Sequence, residues 1–170
     1  AAVRASYRAM GIDPTKTRPS SEALLRRVLK GQGLYTVNTL VDALNLCSLR
    51  FLVPFGLYDL TQVNPPVTLR LGREGESYAG IRKDRVNVSG RACLVDATEP
   101  FGNPTSDSER TKIVLQTTRA LVVPFLPQET TDLRVREIVE RTTLTHLKYS
   151  LGTRGLVNWA APFDVQSVSV

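Results

Sequence analysis

At 170 residues, with 42% hydrophobic and 22% charged side chains, the chain has the size and apolar content of one compact domain with its own core. No run approaches the roughly 18 consecutive apolar residues of a membrane-crossing helix, and the first residues form no apolar leader, so a soluble cytoplasmic protein is expected. Two separated cysteines, Cys47 and Cys93, without a CxxC pair, and a lone histidine, His146, leave a metal site short of ligands, so neither metal nor cofactor is expected.

The net charge of +6 is unevenly spread. Arg4, Arg8, Lys16, Arg18, Arg26, Arg27 and Lys30 face only Asp13 and Glu22 in the first thirty residues, while the remainder is nearly balanced. Such a cationic segment attracts a polyphosphate backbone, although a basic helix face can equally be plain solvated surface. The chain opens Ala1-Ala2-Val3 without an initiator Met, which leaves room for a preceding segment.

Arg4 to Met10 reads as a short helix stopped by Gly11 and followed by a turn-rich stretch to Pro19. Ser20 is the expected cap of the next helix, whose apolar stripe is Leu24, Leu25, Val28 and Leu29, with Arg26, Arg27 and Lys30 opposite and Gly31 as its stop. Asn38 is the expected cap of a third helix that buries Leu40, Val41, Leu44, Cys47 and Phe51. Asp42, Asn45 and Ser48 lie beside that stripe, where they either line a pocket or satisfy neighbouring backbone.

After Pro54 the period becomes two. Strands are expected at 67–71, 85–88 and 91–95, so that residues 53–98 are mostly sheet. Glu99 to Ser108 is rich in turn formers and reads as an exposed or pocket-lining loop; strands at 112–115 and 120–125 follow. Thr131 caps a last helix reaching about His146, and Trp159 and Phe163 clip the tail to the body. The whole reads as α+β, with a largely antiparallel sheet between early and late helices.

Walker, GxSxG and HExxH motifs are absent. A lone histidine near a helix end is more often a core or helix-end residue than a catalyst. What remains is a set of polar residues able to hold a substrate and a water: Asn38, Asp42, Asn45, Asp59, Arg70, Glu76, Asp96, Asn103, Asp107 and Ser108. Each also suits a cap, a turn or a surface charge.

The segments Tyr7 to Pro14 and Arg18 to Leu29, then Val37 to Asn45, Pro54 to Asp59, Leu69 to Glu76 and Phe101 to Thr111, resemble free-standing relatives of the B3/B4 editing domain of the phenylalanyl-tRNA synthetase beta subunit. The resemblance runs in order over about residues 7–126. It implies a three-layer α+β fold with largely antiparallel sheets packed with helices, as a single domain over 1–170 with a core at about 7–148 and a tail at 149–170. It also implies hydrolysis of an ester on a mischarged aminoacyl-tRNA by a positioned water.

In that reading Asn38, Asn45, Glu76, Asn103 and Asp107 serve catalysis, and Asp42, Gly56, Asp59, Arg70 and Ser108 line the pocket. Arg18, Arg26, Arg27 and Lys30 hold the tRNA. The partners are an aminoacylated tRNA and a synthetase, with neither membrane nor DNA. The sequence departs from the synthetase pattern at Gly56, where that pattern has a histidine, so a histidine-dependent contact does not carry over. The alternative is a noncatalytic module that holds tRNA, an amino acid or a protein in the same cleft, and a third reading is a small-molecule enzyme on the same fold.

Overall fold

A computed structural model describes residues 2–149; the expected contacts of Trp159 and Phe163 lie outside the described residues. Helix α1 (Ala2–Ala9) buries only Tyr7. It ends at Gly11, whose φ of +73° is open to glycine at little cost. The chain then threads closely past the sheet: Ala92 N–H donates to the Met10 carbonyl at 2.9 Å.

Helix α2 (Ser20–Leu29) is joined to α1 by a two-pronged ion pair, Arg4 Nε to Glu22 Oε1 at 2.8 Å and Nη2 to Oε2 at 2.7 Å. Its N-cap is Pro19, not Ser20, and no side chain caps it. Ser20 is instead the first helical residue. The C-terminus behaves as its sequence suggests: Gln32 N–H donates to Arg27 O and Gly31 N–H to Val28 O, with Gly31 at φ +70°. The apolar stripe is only half used. Leu24 is buried, but Val28 and Leu29 are 44% and 76% exposed.

Helix α3 (Thr39–Phe51) is capped as its sequence predicts, Asn38 Oδ1 accepting from Val41 N–H at 3.0 Å. It packs against helix α4 (Asp132–Tyr149), and Cys47, Phe51, Val53 and Ile138 form the buried cluster between them. Thr131 Oγ1 accepts from Arg134 N–H at 3.4 Å at the start of α4. Near its end, buried His146 has one ring nitrogen 2.9 Å from Thr142 O and the other 3.2 Å from Leu40 O. This histidine pins α4 to the first turn of α3, the core role foreseen for it.

Among the described residues the paired strands are antiparallel and fall in three sheets. Strand β1 (Phe55–Asp59) pairs with β8 (Ala120–Pro124). The four-stranded sheet has the order β2 (Thr68–Leu71), β5 (Ala92–Val95), β6 (Pro100–Asn103), β7 (Ser106–Asp107). Strands β3 (Ser77–Gly80) and β4 (Lys83–Asn87) form a separate hairpin. This is the α+β class expected from the sequence; β2, β5 and β8 fall within a residue of the expected 67–71, 91–95 and 120–125, while β4 starts two residues before the expected 85–88 and ends one residue short of it.

Two segments differ. Residues 99–108 are not a loop but the tight β6–β7 hairpin, every residue of β6 buried, because β6 pairs with β5 through Leu94↔Gly102 and Val95↔Pro100. Residues 112–115 form no strand. Val114 and Thr117 bond to each other through Thr117 N–H to Val114 O and Val114 N–H to Thr117 Oγ1, so the chain turns there and leaves Leu115 90% exposed.

The larger core lies between β1 and the four-stranded sheet. Tyr58 and Phe101, both fully buried, meet edge to face with centroids 4.9 Å apart, surrounded by Val63, Val67, Leu94 and Phe125. Cys47 and Cys93 are buried free thiols in separate clusters.

A Cβ at residue 11 would lie 2.3 Å from the Gly90 carbonyl oxygen, and alanine is strained at positive φ. Gly11→Ala should therefore lower the unfolding free energy by about 1–3 kcal/mol. Chemical denaturation checks this; an unchanged midpoint would mean that the α1–β5 junction is looser than described.

Candidate functional site

The cavity of interest forms where the β6–β7 hairpin meets the start of α2. It measures about 230 Å³ and is lined by Ser20, Phe55, Ile81, Lys83 and the run Asn103 to Asp107. The hairpin is stiffened from within. Asn103 Oδ1 accepts from Thr105 N–H at 2.8 Å, Thr105 Oγ1 at 2.8 Å and Ser106 N–H at 2.9 Å, which closes the turn on one side-chain oxygen.

Two tyrosines hold the same hairpin from outside. Tyr7 donates to the Pro104 carbonyl at 2.7 Å and Tyr78 to the Ser106 carbonyl at 2.5 Å. Burial pushes both phenols well above their ordinary range, so they are donors at any ordinary pH. From the β4 side Lys83 Nζ donates to Ser106 Oγ at 2.7 Å, which brings a cation to the cavity wall.

Asp107 is the ionisable acid of this cavity. Burial pushes its carboxyl up to about 7, and the Tyr58 hydroxyl and the Leu57 backbone amide only partly offset that. The side chain is half-buried, with the cavity on its open side. Tyr58 lies beneath it, fully buried, its hydroxyl near Asp107 but in no hydrogen bond among the described residues. Burial and then the neighbouring Asp107 push the phenol well above its ordinary range.

The space for that hydroxyl is made by two glycines. A Cβ at Gly56 or at Gly102 would each come within 2.2 Å of it. Gly56, the position at which the sequence departs from the synthetase pattern, thus stands where the Tyr58 phenol leaves no room for a side chain.

The structure brings together Asn103 and Asp107 at the cavity, with Gly56 just below. The other expected residues do not line it. Asn38 caps α3; Asp42 accepts from Val37 N–H at 2.9 Å; Asn45 is half-buried on α3. Ser48 donates to Val53 O at 2.7 Å, so it satisfies backbone. Arg70 and Glu76 form a two-pronged ion pair with both distances 2.7 Å. That hydrogen-bonded pairing holds the Glu76 carboxyl down at about 2.

Asp59 and Asp96 are buried structural acids. Burial alone would raise the Asp59 carboxyl, but bonds from Thr61 and Thr117 outweigh it. At Asp96 the Asn64, Thr98 and Glu99 amides and Arg110 do the same. Ser108 Oγ accepts from Arg110 N–H at 3.1 Å.

Of the basic residues, Arg18, Arg26 and Lys30 are exposed, while Arg27 bonds to the Gly33 carbonyl and stacks on the Tyr35 ring, 4.1 Å from its centroid. Sequence reasoning missed Tyr58 and Lys83. The glycine two residues before Tyr58 on the same face of a strand was a usable signal for the first, because it leaves that face open. Nothing in the local pattern around Lys83 points to the cavity.

A carboxyl whose folded value lies above its unfolded one keeps its proton longer in the native state. The stability tied to that proton is complete below about pH 4 and is lost as pH rises through about 7. Asp107→Asn should therefore unfold at a higher temperature than the wild type at pH 8, with the difference shrinking toward pH 4. Thermal melts across that range check it, and a constant difference would remove Asp107 as the source.

The sequence profile of the B3/4 domain matches residues 2–146 of this chain. No curated protein gives a significant match.

Proposed function

The chain belongs to the B3/4 domain family, a binding module related to the phenylalanyl-tRNA synthetase beta subunit, and on that premise we propose that it hydrolyses the ester of a mischarged aminoacyl-tRNA supplied in trans. The observation that carries this reading is Asp107, a carboxyl held near neutrality at the wall of a cavity with a cation beside it.

A carboxylate with this proton affinity is suited to general-base work, because its affinity matches the operating pH. In the proposed step a water attacks the ester carbonyl carbon and gives a proton to Asp107. The tetrahedral oxyanion collapses, the bond to the ribose oxygen breaks, and the proton passes from Asp107 to that leaving oxygen. Lys83 faces the same space and offsets negative charge on the oxyanion.

Asn103 has its Oδ1 committed to the turn, so its Nδ2 is the group left to donate to a substrate. Asn38, Asn45 and Glu76 lie outside the cavity lining, and this reading puts no reacting atom on them. Arg18, Arg26, Arg27 and Lys30 supply the sequence-independent attraction for the tRNA backbone.

The test is deacylation of a panel of correctly and incorrectly charged tRNAs. One mischarged species should be hydrolysed selectively, with kcat/KM rising as pH passes about 7. Asp107→Asn should lose about 10²- to 10⁴-fold, the scale of general acid–base assistance. Absence of turnover across the panel despite tRNA binding would replace this reading with that of a noncatalytic module.

A further inference from the structure

We infer that the solvent face of α2 is a track for a single-stranded RNA end, running from a base-stacking platform at Tyr35 to the cavity, where the terminal nucleotide lies. It rests on the reading above only for what that terminus carries.

The platform is an aromatic ring without a core partner. Tyr35 is 59% exposed, yet it is held in place: Arg27 lies over its ring at 4.1 Å and also ties down the Gly33 carbonyl, which folds the segment after α2 back onto the helix. A fixed tyrosine with an arginine on one face and solvent around the rest is the arrangement that accepts an unpaired base, through stacking and cation–π attraction.

Helix geometry joins this platform to the cavity. At 3.6 residues per turn, Ser20 and Arg27 lie on nearly the same line of α2, about 10 Å apart along the axis. Ser20 is part of the cavity lining, and Arg27 carries the Tyr35 stack. Between them on that side is exposed Ala23, a small residue that leaves the face low, and beside them are Lys30 and Arg26. The buried residues of α2, Leu24 and Ser21, adjoin this line on one flank, so the path follows the flank of Ala23 and Lys30.

Arg26 and Lys30 form no ion pair among the described residues, so their charge is available to phosphates. The span of about 10–15 Å along the helix suits a few nucleotides and excludes a duplex from the cavity, where there is space for about 230 Å³ only. An acidic peptide would satisfy the cations but would make no use of an exposed ring set for stacking.

The experiment is fluorescence anisotropy with 5′-labelled, unacylated RNA oligonucleotides of two to eight nucleotides, a blunt RNA duplex and a poly-glutamate peptide, on the full chain. Single strands should bind, with affinity levelling off at a few nucleotides and falling as salt rises. Tyr35→Ala should weaken binding about 5- to 100-fold, on the scale of one base–aromatic stack, while Tyr35→Phe retains it. Lys30→Glu should weaken binding and flatten the salt dependence.

Equal binding of duplex and single strand, equal binding of the peptide, no binding of RNA, or indifference to Tyr35→Ala would each overturn the proposal. Deacylation and oligonucleotide binding are read separately: loss of turnover in Asp107→Asn tests the hydrolysis, and loss of binding of the unacylated oligonucleotides in Tyr35→Ala, with Tyr35→Phe retaining it, tests the track.

Discussion

The arrangement of this molecule depends on how the β6–β7 hairpin is held. One side-chain oxygen, Asn103 Oδ1, accepts three hydrogen bonds within the turn, and Tyr7 and Tyr78 clamp the carbonyls of Pro104 and Ser106 from two different elements. Backbone groups that would otherwise be stranded in a buried hairpin are thereby satisfied, and each such group left unpaired would cost about 1–3 kcal/mol. With the turn rigid, Asp107 is presented at a fixed place on the cavity wall, and α1, which carries Tyr7, is drawn into the same assembly.

The electrostatics follow from that packing. Asp107 pairs across to Gly102 in the hairpin and lies over the Tyr58 phenol, in a site where burial outweighs the nearby donors. Asp59, Asp96 and Glu76 show the opposite balance, because threonines, backbone amides and arginines supply enough hydrogen bonds to hold them ionised. Four carboxyls of similar intrinsic acidity thus divide by donor supply, and the one with the poorest supply is the one open to the cavity. That division favours Asp107 over the other acids as the group that exchanges protons.

Much of the helical framework is legible in the sequence because its causes are local. The Asn38 cap, the Gly31 stop and the apolar period of α3 act within one or two turns, and the structure has them as expected. The strands β2 and β5 lie within a residue of the expected 67–71 and 91–95, although β5 is buried on both faces because the sheet is covered on each side there. The failures share one physical reason. The turn formers of 99–108 were read as a loop, but a long-range partner, β5, captures Pro100 to Asn103 as a strand. The apolar run at 112–115 finds no strand edge and turns instead.

The candidate site divides along the same line. Residue chemistry alone marked Asn103 and Asp107 as polar groups in a turn-rich stretch, the charge count marked the basic face of α2, and resemblance pointed to the family. Tertiary structure decided which of these meet. It set Asn38 to capping and Glu76 to Arg70, placed Lys83 and the start of α2 at the cavity, and put the Tyr58 hydroxyl where Gly56 and Gly102 leave space. Caps, periods and charge depend on neighbours a few residues away, so the sequence determined them by itself. The proton affinity of Asp107 depends on burial among residues from β1, β6 and β7, which only the closed fold brings together.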